Sequence, residues 1–269
     1  MSKLGKLQII LKTMKRVLIA YSGGADSTLL LKIAADTLGK KNVLAVIAAS
    51  ETYPASEIDS AVKIAKIIKV NLSVIKTEEL KDQRFLKNPA ERCYYCKLEL
   101  FGKLKKIARK NGYRFVLDGA NYDDRLDFRP GAKAGRALGI KSPLKEAGFT
   151  KIEIRKLSKI LKLPTWNKPS MACLASRVPY GMRINNKILD QIGKAEEYLK
   201  KEYFKQVRVR HHGNMARIEV MPKDFKLFLK PGVTEKIAEK LKKIGYTYIT
   251  LDIEGFRSGS MNLVLKGRK

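Results

Sequence analysis

The chain has 269 residues, 45% of them hydrophobic, and its 56 lysines and arginines against 26 acidic residues give a formal net charge of +30. That length and apolar content suffice for a sizeable core in one large domain or two smaller ones. Because no stretch approaches about 18 uncharged apolar residues and no apolar signal core follows Met1, we expect a soluble, cytoplasmic protein with no membrane partner.

Up to about Pro164 the sequence alternates short β-branched runs with amphipathic segments. Such alternation is typical of an α/β fold with a parallel sheet and helices on both faces. Because ligands in these sheets bind at the carboxyl ends of the strands, Ser22, residues 49–51 and residues 118–121 should meet in one crevice. The predicted strands are 17–20, 43–48, 72–75 and 115–117, and the predicted helices are 27–38, 56–68, 98–111, 131–138 and 151–161.

A segment with two prolines and the only tryptophan, 163–170, ends this alternation. We therefore predict a parallel-sheet domain at 1–168 and a smaller α+β domain at 169–269, within the usual range of domain size. The predicted elements of the second domain are a helix over 187–203, a hairpin over 206–220, a helix over 234–244 and a strand over 248–252.

The turn after the first predicted strand indicates a nucleotide site. Residues 22–27 read Ser-Gly-Gly-Ala-Asp-Ser between an apolar run and a helix. Backbone N–H groups converge at a helix N-terminus, glycines allow close approach of a phosphate, and the helix dipole favours negative charge. The segment matches neither the P-loop nor the dinucleotide fingerprint. The alternative is an ordinary strand-to-helix turn with a capping Ser or Asp.

The predicted hairpin, 206–220, carries a basic face. With a two-residue turn at 213–214, Arg208, Arg210 and Arg217 share one face, and Arg210 lies opposite Arg217. Like charges opposite each other repel unless an anion lies between them, and a phosphate fits the guanidinium forks. The alternative is a solvated basic face on a basic protein. The register pairs His212 with Met215 and Arg208 with Glu219, and the predicted core side comprises Val207, Val209, His211, Ala216, Ile218 and Val220.

Three cysteines occur in a chain without an export signal, which favours metal or redox chemistry over disulfides. Cys93 and Cys96 have a spacing that lets two thiolates bind one metal centre from a loop-to-helix turn, and Cys173 follows the domain junction. Zinc normally has four protein ligands, whereas three thiolates suit a four-iron, four-sulfur cluster with one open iron. A dithiol redox pair and structural thiols stay open as alternatives.

With these motifs the chain resembles the LarE family of ATP-dependent sulfur transferases, within the PP-loop (adenine nucleotide alpha hydrolase-like) ATP pyrophosphatase superfamily. The resemblance extends over almost the whole chain, and the segment around Cys173 with the arginine strand is its most specific part. The segments that carry it are 22–27, 93–96, 118–124, 129–131, 168–170, 173–177, 179–181, 208–210 and Asp252.

The resemblance implies a reaction and its participants. ATP, with Mg²⁺, adenylates a carboxylate of pyridinium-3,5-biscarboxylic acid mononucleotide, and a sulfur nucleophile displaces AMP to give a thiocarboxylate for a nickel-pincer cofactor. Arg208 and Arg210 would bind the substrate's phosphate, and Asp26 would lie near the Mg²⁺. Asp124, Asp127 and Glu219 are further substrate or magnesium candidates. The implied ATP and pyrophosphate set is Ser22, Gly23, Gly24, Asp26, Ser27 and Gly119.

The resemblance offers two sources of sulfur. In one branch the cysteine that Cys173 matches is a sacrificial donor. In the other, three cysteines hold a 4Fe-4S cluster that carries sulfide from a donor, and the presence of Cys93 and Cys96 places this chain there. Catalysis would then rest on Cys173 and Asp26, in a trimer or hexamer.

Three other functions compete with this assignment. A PP-loop enzyme that thiolates tRNA is favoured by the +30 charge, although the lysines are dispersed over nearly every helix and so do not predict a nucleic-acid partner. An amidating ligase with structural zinc and a redox-sensing nucleotide regulator are the others. Metal analysis separates the ligase, and ATP binding without pyrophosphate release would indicate the regulator.

Overall fold

The computed structural model describes residues 1–125, 129–169 and 172–266. The chain divides into two compact units, Met1–Asp82 with Glu91–Met171, and Gln83–Ala90 with Ala172–Lys269. The helices, numbered along the chain, are α1 Lys3–Met14, α2 Ala25–Leu38, α3 Ala55–Ile68, α4 Gln83–Leu86, α5 Arg92–Lys110, α6 Gly131–Ala137, α7 Pro143–Glu146, α8 Lys151–Ile160, α9 Asn186–Glu202, α10 Val233–Ile244 and α11 Leu263–Lys266.

A parallel four-stranded sheet forms the centre of the first unit, in the order β3-β2-β1-β4. β1 is buried on both faces, because Val17 and Ile19 pack into one apolar cluster with α2, whereas Leu18 packs into another with Phe101 and Leu104 of α5. This arrangement confirms the predicted α/β fold with helices on both faces. The strands are β1 Val17–Ala20, β2 Val43–Ala49, β3 Asn71–Lys76 and β4 Phe115–Leu117.

Helices α1 and α5 differ from the predictions, and the short helices α4, α7 and α11 were not predicted. No helix before the first strand is among the predicted elements, but α1 extends over Lys3–Met14 behind Ser2, whose Oγ accepts from Gly5 N at 3.1 Å. It buries Leu7, Leu11 and Met14 at helical spacing. α5 begins at Arg92, six residues before its predicted start at 98, so the Cys93–Cys96 pair lies in the helix rather than before it.

The second unit contains a mixed three-stranded sheet, β5 Val207–His212, β6 Met215–Val220 and β7 Tyr248–Leu251, in the order β5-β6-β7. β5 and β6 form the predicted hairpin in the predicted register, with Arg210 opposite Arg217. The predicted core side is buried against α9 and α10. Within the described part of the chain, no helix combines the length and apolar character needed to cross a membrane.

Candidate functional site

The turn between β1 and α2 has a backbone that requires glycine. Gly23 has φ +67°, and a Cβ built on it would lie 2.5 Å from the Cβ of Ala61 in α3. Gly24 caps α2 in an extended conformation. The Ser22 and Ser27 hydroxyl oxygens lie 3.1 Å apart across the turn, and Ser27 Oγ donates to Gly24 O at 3.3 Å. Two hydroxyls and the first N–H groups of α2 are thus gathered in one short turn.

The segment after β4 packs against this turn. A Cβ on Gly119 would lie 3.0 Å from Ser27 N, so a larger residue would push the two backbones apart by a few tenths of an ångström. Asp118 Oδ1 accepts from Ala120 N at 3.2 Å and from Ser142 Oγ at 2.7 Å, which fixes the segment. The ends of β1 and β4 therefore meet, as the strand order required.

Asp26 on the first turn of α2 lies beside a second acid and a lysine. Its Oδ2 accepts from Lys151 Nζ at 2.6 Å, whereas its Oδ1 is buried and has no hydrogen-bond partner among the described residues. Burial raises the pKa of Asp124, and the nearby charge of Asp26 adds to this shift, while Arg129 opposes it at 2.8 Å. Two neighbouring carboxylates, one with an unpartnered oxygen, are the donor type that Mg²⁺ prefers.

A second lysine contacts the glycine turn. Lys168 Nζ donates to Gly23 O at 3.2 Å and pairs with Glu57 of α3 at 3.0 Å. Sequence reasoning missed Lys151 as a site residue and placed Lys168 only within a motif of the resemblance, because they lie 125 and 145 residues from their partners in the turn. Both add positive charge to a turn suited to an anion.

A cleft opens beside the turn, at the carboxyl ends of β1 and β2, with about 680 Å³ of space when the solvent at its open mouth is included. Its walls are mainly apolar, with a few polar groups, as is usual for sites that bind a small organic molecule. The lining residues are Ala20, Tyr21, Ser22, Val46, Ile47, Ala48, Tyr53, Glu57, Ile58, Ala61, Thr77, Glu79, Cys96, Lys97 and Leu100.

The cysteine pair lies on the first turns of α5. Cys93 is exposed, and Cys96 lines the cleft together with Ser22 and Lys97. Residues three apart on a helix share one face, and a helix N-terminus favours thiolates. Within the described ranges, the structure gathers no group of three or more His, Cys, Asp or Glu side chains that could hold a metal ion.

Cys173 belongs to the second unit, where a buried ion pair holds its backbone. Arg177 donates to Glu196 through Nε at 2.8 Å and Nη2 at 2.9 Å. Its Nη1 donates to the carbonyl oxygens of Ala172 at 2.7 Å and Cys173 at 2.9 Å. The turn that carries the thiol is therefore fixed by one guanidinium group.

Two of the hairpin arginines, Arg210 and Arg217, converge on a buried carboxylate of their own chain, that of Glu219. Arg210 Nη2 donates to Glu219 Oε2 at 2.6 Å and to Ser260 Oγ at 3.0 Å, and Arg217 Nη2 reaches Glu219 Oε1 at 3.4 Å. Glu219 thus supplies the anion that the opposed arginines require. Arg210 Nε is buried and has no acceptor among the described residues.

Arg208 is also buried. Its guanidinium lies 5.4 Å from the centre of the Phe256 ring, and Nη1 donates to Val207 O at 3.0 Å. Burial is the main cause that lowers the pKa of Arg208 to about 10. With Arg208 and Arg210 only 6% and 5% exposed, the alternative of a solvated basic face is wrong for these two residues.

The remaining predicted residues are two that the structure does not describe and one histidine of the hairpin. Asp127, a magnesium or substrate candidate, and Ser170 of the 168–170 motif lie outside the described residues. His211, which belongs to the predicted core side of the hairpin, is buried, with Nδ1 3.3 Å from the Tyr246 hydroxyl.

Comparison with known proteins gives matches over nearly the whole chain. A family model described as NAD synthase matches residues 6–91. The chain is 39% identical over 264 residues to the pyridinium-3,5-bisthiocarboxylic acid mononucleotide synthase of Lactiplantibacillus plantarum, which covers 97% of this chain and 94% of the relative. It is also 41% identical to an uncharacterized protein of Synechocystis sp., over 98% of each chain, and 32% identical to one of Methanocaldococcus jannaschii, over 91% and 92%.

Proposed function

The chain belongs to the LarE family of sulfur-inserting PP-loop enzymes, and we propose that it is an ATP-dependent sulfur transferase acting on pyridinium-3,5-biscarboxylic acid mononucleotide. The observation that carries the proposal is the cleft of the first unit. Both Cys96 and Ser22 of the glycine turn line this cleft. Nucleotide activation and sulfur delivery would then occur at one site.

The glycine turn would bind the pyrophosphate part of ATP. Ser22 and Ser27 offer hydroxyl donors, and the N–H groups at the start of α2 would stabilise the charge that develops when pyrophosphate leaves. Asp26 and Asp124 would hold Mg²⁺, because Asp26 Oδ1 has no partner among the described residues. Bound there, the ion would neutralise charge on the phosphates. Lys151 would then exchange Asp26 for a phosphate oxygen.

The first step attaches AMP to the substrate. A carboxylate oxygen of the substrate attacks the α-phosphorus, and pyrophosphate leaves. Arg208 and Arg210 would hold the substrate's own phosphate, which orients the carboxylate for attack. Arg210 Nε is a buried donor without an acceptor among the described residues, and a phosphate oxygen would satisfy it.

The second step exchanges oxygen for sulfur at the activated carboxyl carbon. A sulfide attacks the acyl carbon, AMP leaves with the bonding electrons, and a thiocarboxylate remains. In the three-cysteine branch Cys93, Cys96 and Cys173 would hold a 4Fe-4S cluster that carries this sulfide, which an external donor supplies, so that the enzyme turns over. Alternatively the Cys173 thiolate would attack the acyl carbon and displace AMP. Loss of the Cys173 α-proton and cleavage of its Cβ–S bond would then leave dehydroalanine in the chain and the thiocarboxylate on the substrate. We expect a homo-oligomer, as the family implies.

Anaerobic iron and acid-labile sulfide analysis tests the cluster. We expect roughly four irons and four or five sulfides per chain, abolished separately by Cys93→Ala, Cys96→Ala and Cys173→Ala. Zinc in place of iron would indicate the amidating ligase. Absence of iron, with sulfur transfer that depends on Cys173 alone, would replace the cluster by the sacrificial cysteine.

Pyrophosphate release, measured with the mononucleotide substrate present, tests the first step. Asp26→Asn should reduce the rate by about 100-fold or more while the protein stays folded, because one magnesium ligand is lost. Asp36→Asn is the matched control, since Asp36 lies near the other end of α2 and pairs with Lys32 on the surface. ATP binding without any pyrophosphate release by the wild type would contradict the proposed reaction.

A further inference from the structure

Glu79 is a buried carboxylate that the proposed reaction does not use. It follows β3, begins a short 3-10 turn at Glu79–Lys81, and is only 2% exposed. Its Oε1 accepts from Ser50 Oγ at 2.7 Å and from Thr52 Oγ1 at 2.8 Å. Two residues that follow β2 therefore fix its orientation, through one of its two oxygens.

The other oxygen, Oε2, is buried and receives no hydrogen bond from the described residues. Leaving a buried acceptor unsatisfied is costly, more so for a charged group, and such groups in native proteins call for an explanation. Because Glu79 also lines the cleft, a ligand in the cleft can supply the missing donor.

The strand order places Glu79 away from the phosphates. Glu79 follows β3, the strand two positions from β1 with its glycine turn, and its hydrogen bonds reach the segment after β2. Because neighbouring strands are about 4.8 Å apart, Glu79 lies one to two strand spacings, roughly 5–10 Å, to the side of that turn. In ATP the ribose directly follows the α-phosphate, whereas the 6-amino group lies at the far edge of the base. The offset separates Glu79 from the phosphates, and the apolar walls of the cleft favour the base over the sugar. Apolar lining by Val46, Ile58 and Leu100 suits a flat ring.

Building on the proposed function, in which the cleft binds ATP, we propose that Glu79 Oε2 accepts a hydrogen bond from the 6-amino group of adenine and selects adenine nucleotides. A carboxylate only accepts, so it attracts an amino group and repels the 6-oxo group of hypoxanthine or guanine. Glu79 is thus a specificity-determining residue rather than a catalytic one.

Glu79→Gln should change which nucleotide the cleft prefers, rather than only weaken nucleotide binding. The Ser50 and Thr52 hydroxyls are donors, so the amide oxygen of glutamine keeps their hydrogen bonds and the amide N–H₂ takes the place of Oε2. The site then offers a donor where it offered an acceptor. We expect ATP affinity to fall about 10- to 100-fold and ITP affinity to rise, so that the ATP preference is lost or reversed.

Calorimetric titration with Mg²⁺ and ATP, ITP, purine riboside triphosphate, 2′-deoxyATP or 3′-deoxyATP tests the inference. Wild type should prefer ATP to both ITP and the triphosphate that lacks the 6-amino group, and Glu79→Gln should remove both preferences. Glu78→Gln is the matched control, because Glu78 is the exposed neighbour that pairs with Lys81, and its preferences should equal those of wild type. Thermal unfolding of each variant confirms that it is folded.

The outcomes separate the two proposals. A wild type that binds none of these nucleotides overturns the proposed function and the inference with it. A wild type that binds ATP, with a folded Glu79→Gln variant that keeps the ATP to ITP ratio, overturns only the inference. The same holds if Glu79→Gln instead removes a preference for ATP over a deoxy nucleotide, since Glu79 would then contact the ribose.

Discussion

At the scale of single residues, the glycine turn offers a comparison between adjacent positions. Gly23→Ala combines a positive φ with a Cβ 2.5 Å from Ala61, and should lower the free energy of unfolding by about 2–4 kcal/mol. Gly24→Ala keeps a φ of −83°, meets only Ser22 Oγ at 3.5 Å, and should cost less than about 1 kcal/mol.

Urea denaturation followed by Trp166 fluorescence measures this difference, because Trp166 is the only tryptophan and belongs to the same unit as the turn. Equal losses for the two variants would mean that the loop shifts to accommodate a Cβ at Gly23. The close approach to α3 would then not be a requirement of the fold.

The buried Arg177–Glu196 pair gives a second prediction at this scale. Burial favours a higher pKa for Glu196, but the charge and hydrogen bonds of Arg177 outweigh it and hold the pKa below its usual range. Arg177→Met leaves a buried carboxylate without its main partner and should destabilise the second unit by about 3–5 kcal/mol at pH 7. The stability that comes from the depressed pKa is complete above the unfolded value of about 4.5 and is lost as the pH falls through the lower folded pKa, so the difference from wild type should shrink as the pH falls below about 4.5.

Far-UV circular dichroism in urea, at pH 7 and pH 4, checks this expectation. Arg177→Lys is the control that keeps the charge but loses the two parallel hydrogen bonds, and its loss should be intermediate. Labelling of Cys173 should quicken in Arg177→Met, because Arg177 also binds the carbonyl oxygens of Ala172 and Cys173. A stability equal to wild type would show that the pair contributes nothing to the fold.

At the scale of elements, periodicity and turn residues predicted the regular parts of the fold well. The strands of the first sheet were placed within one or two residues, because β-branched runs ended by polar residues have few alternatives. The hairpin register was correct, since one face had to be buried. The start of α5 was missed because Cys93 and Cys96 were interpreted as part of a metal-binding turn, whereas they continue the helix.

The site was less predictable than the elements, for a physical reason. Residues on one strand end or one helix turn follow from spacing, as Ser22 and Ser27 did. Lys151 and Lys168 reach the turn from more than a hundred residues away, which only the folded chain establishes. Likewise the strand register predicted that Arg210 and Arg217 lie opposite each other. It did not predict that Glu219 is buried beside them and acts as their counter-ion.

The hairpin also predicts a pH dependence. Burial lowers the pKa of both His211 and His212, which are the only histidines of the chain. Because the folded pKa of each histidine lies below the unfolded value of about 6.5, protonation of the histidines disfavours the folded state. The stability of the folded state is therefore complete above that pH and is lost as the pH falls through the folded pKa. The free energy of unfolding should fall between pH 7 and pH 5, by at most about 1.4 kcal/mol per pH unit for each histidine.

Thermal unfolding of the second unit from pH 7.5 to pH 5 measures the slope. The double variant His211→Asn, His212→Asn should be flatter over this range, whatever its stability at pH 7.5, because no histidine remains to titrate. An unchanged slope in the double variant would assign the effect to carboxylates instead.

At the scale of the whole molecule, the net charge of +30 determines how strongly the chain binds polyanions. Such a field attracts tRNA or heparin without recognising either, and ions at 1 M reduce its range to about 3 Å. We expect tRNA and heparin of matched charge to bind with similar affinity, and both affinities to fall steeply between about 50 and 500 mM salt, because screening weakens both alike.

The decisive measurement is pyrophosphate release with tRNA and with the mononucleotide substrate at the same salt. For a mononucleotide sulfur transferase, tRNA should leave the rate unchanged or lower it by occupying the basic surface, whereas the mononucleotide should raise it. Heparin controls for charge alone. Stimulation by tRNA but not by heparin, persisting at 500 mM salt, would favour the tRNA-thiolating enzyme, because specific contacts outlast the screening that removes the dispersed attraction of the lysines.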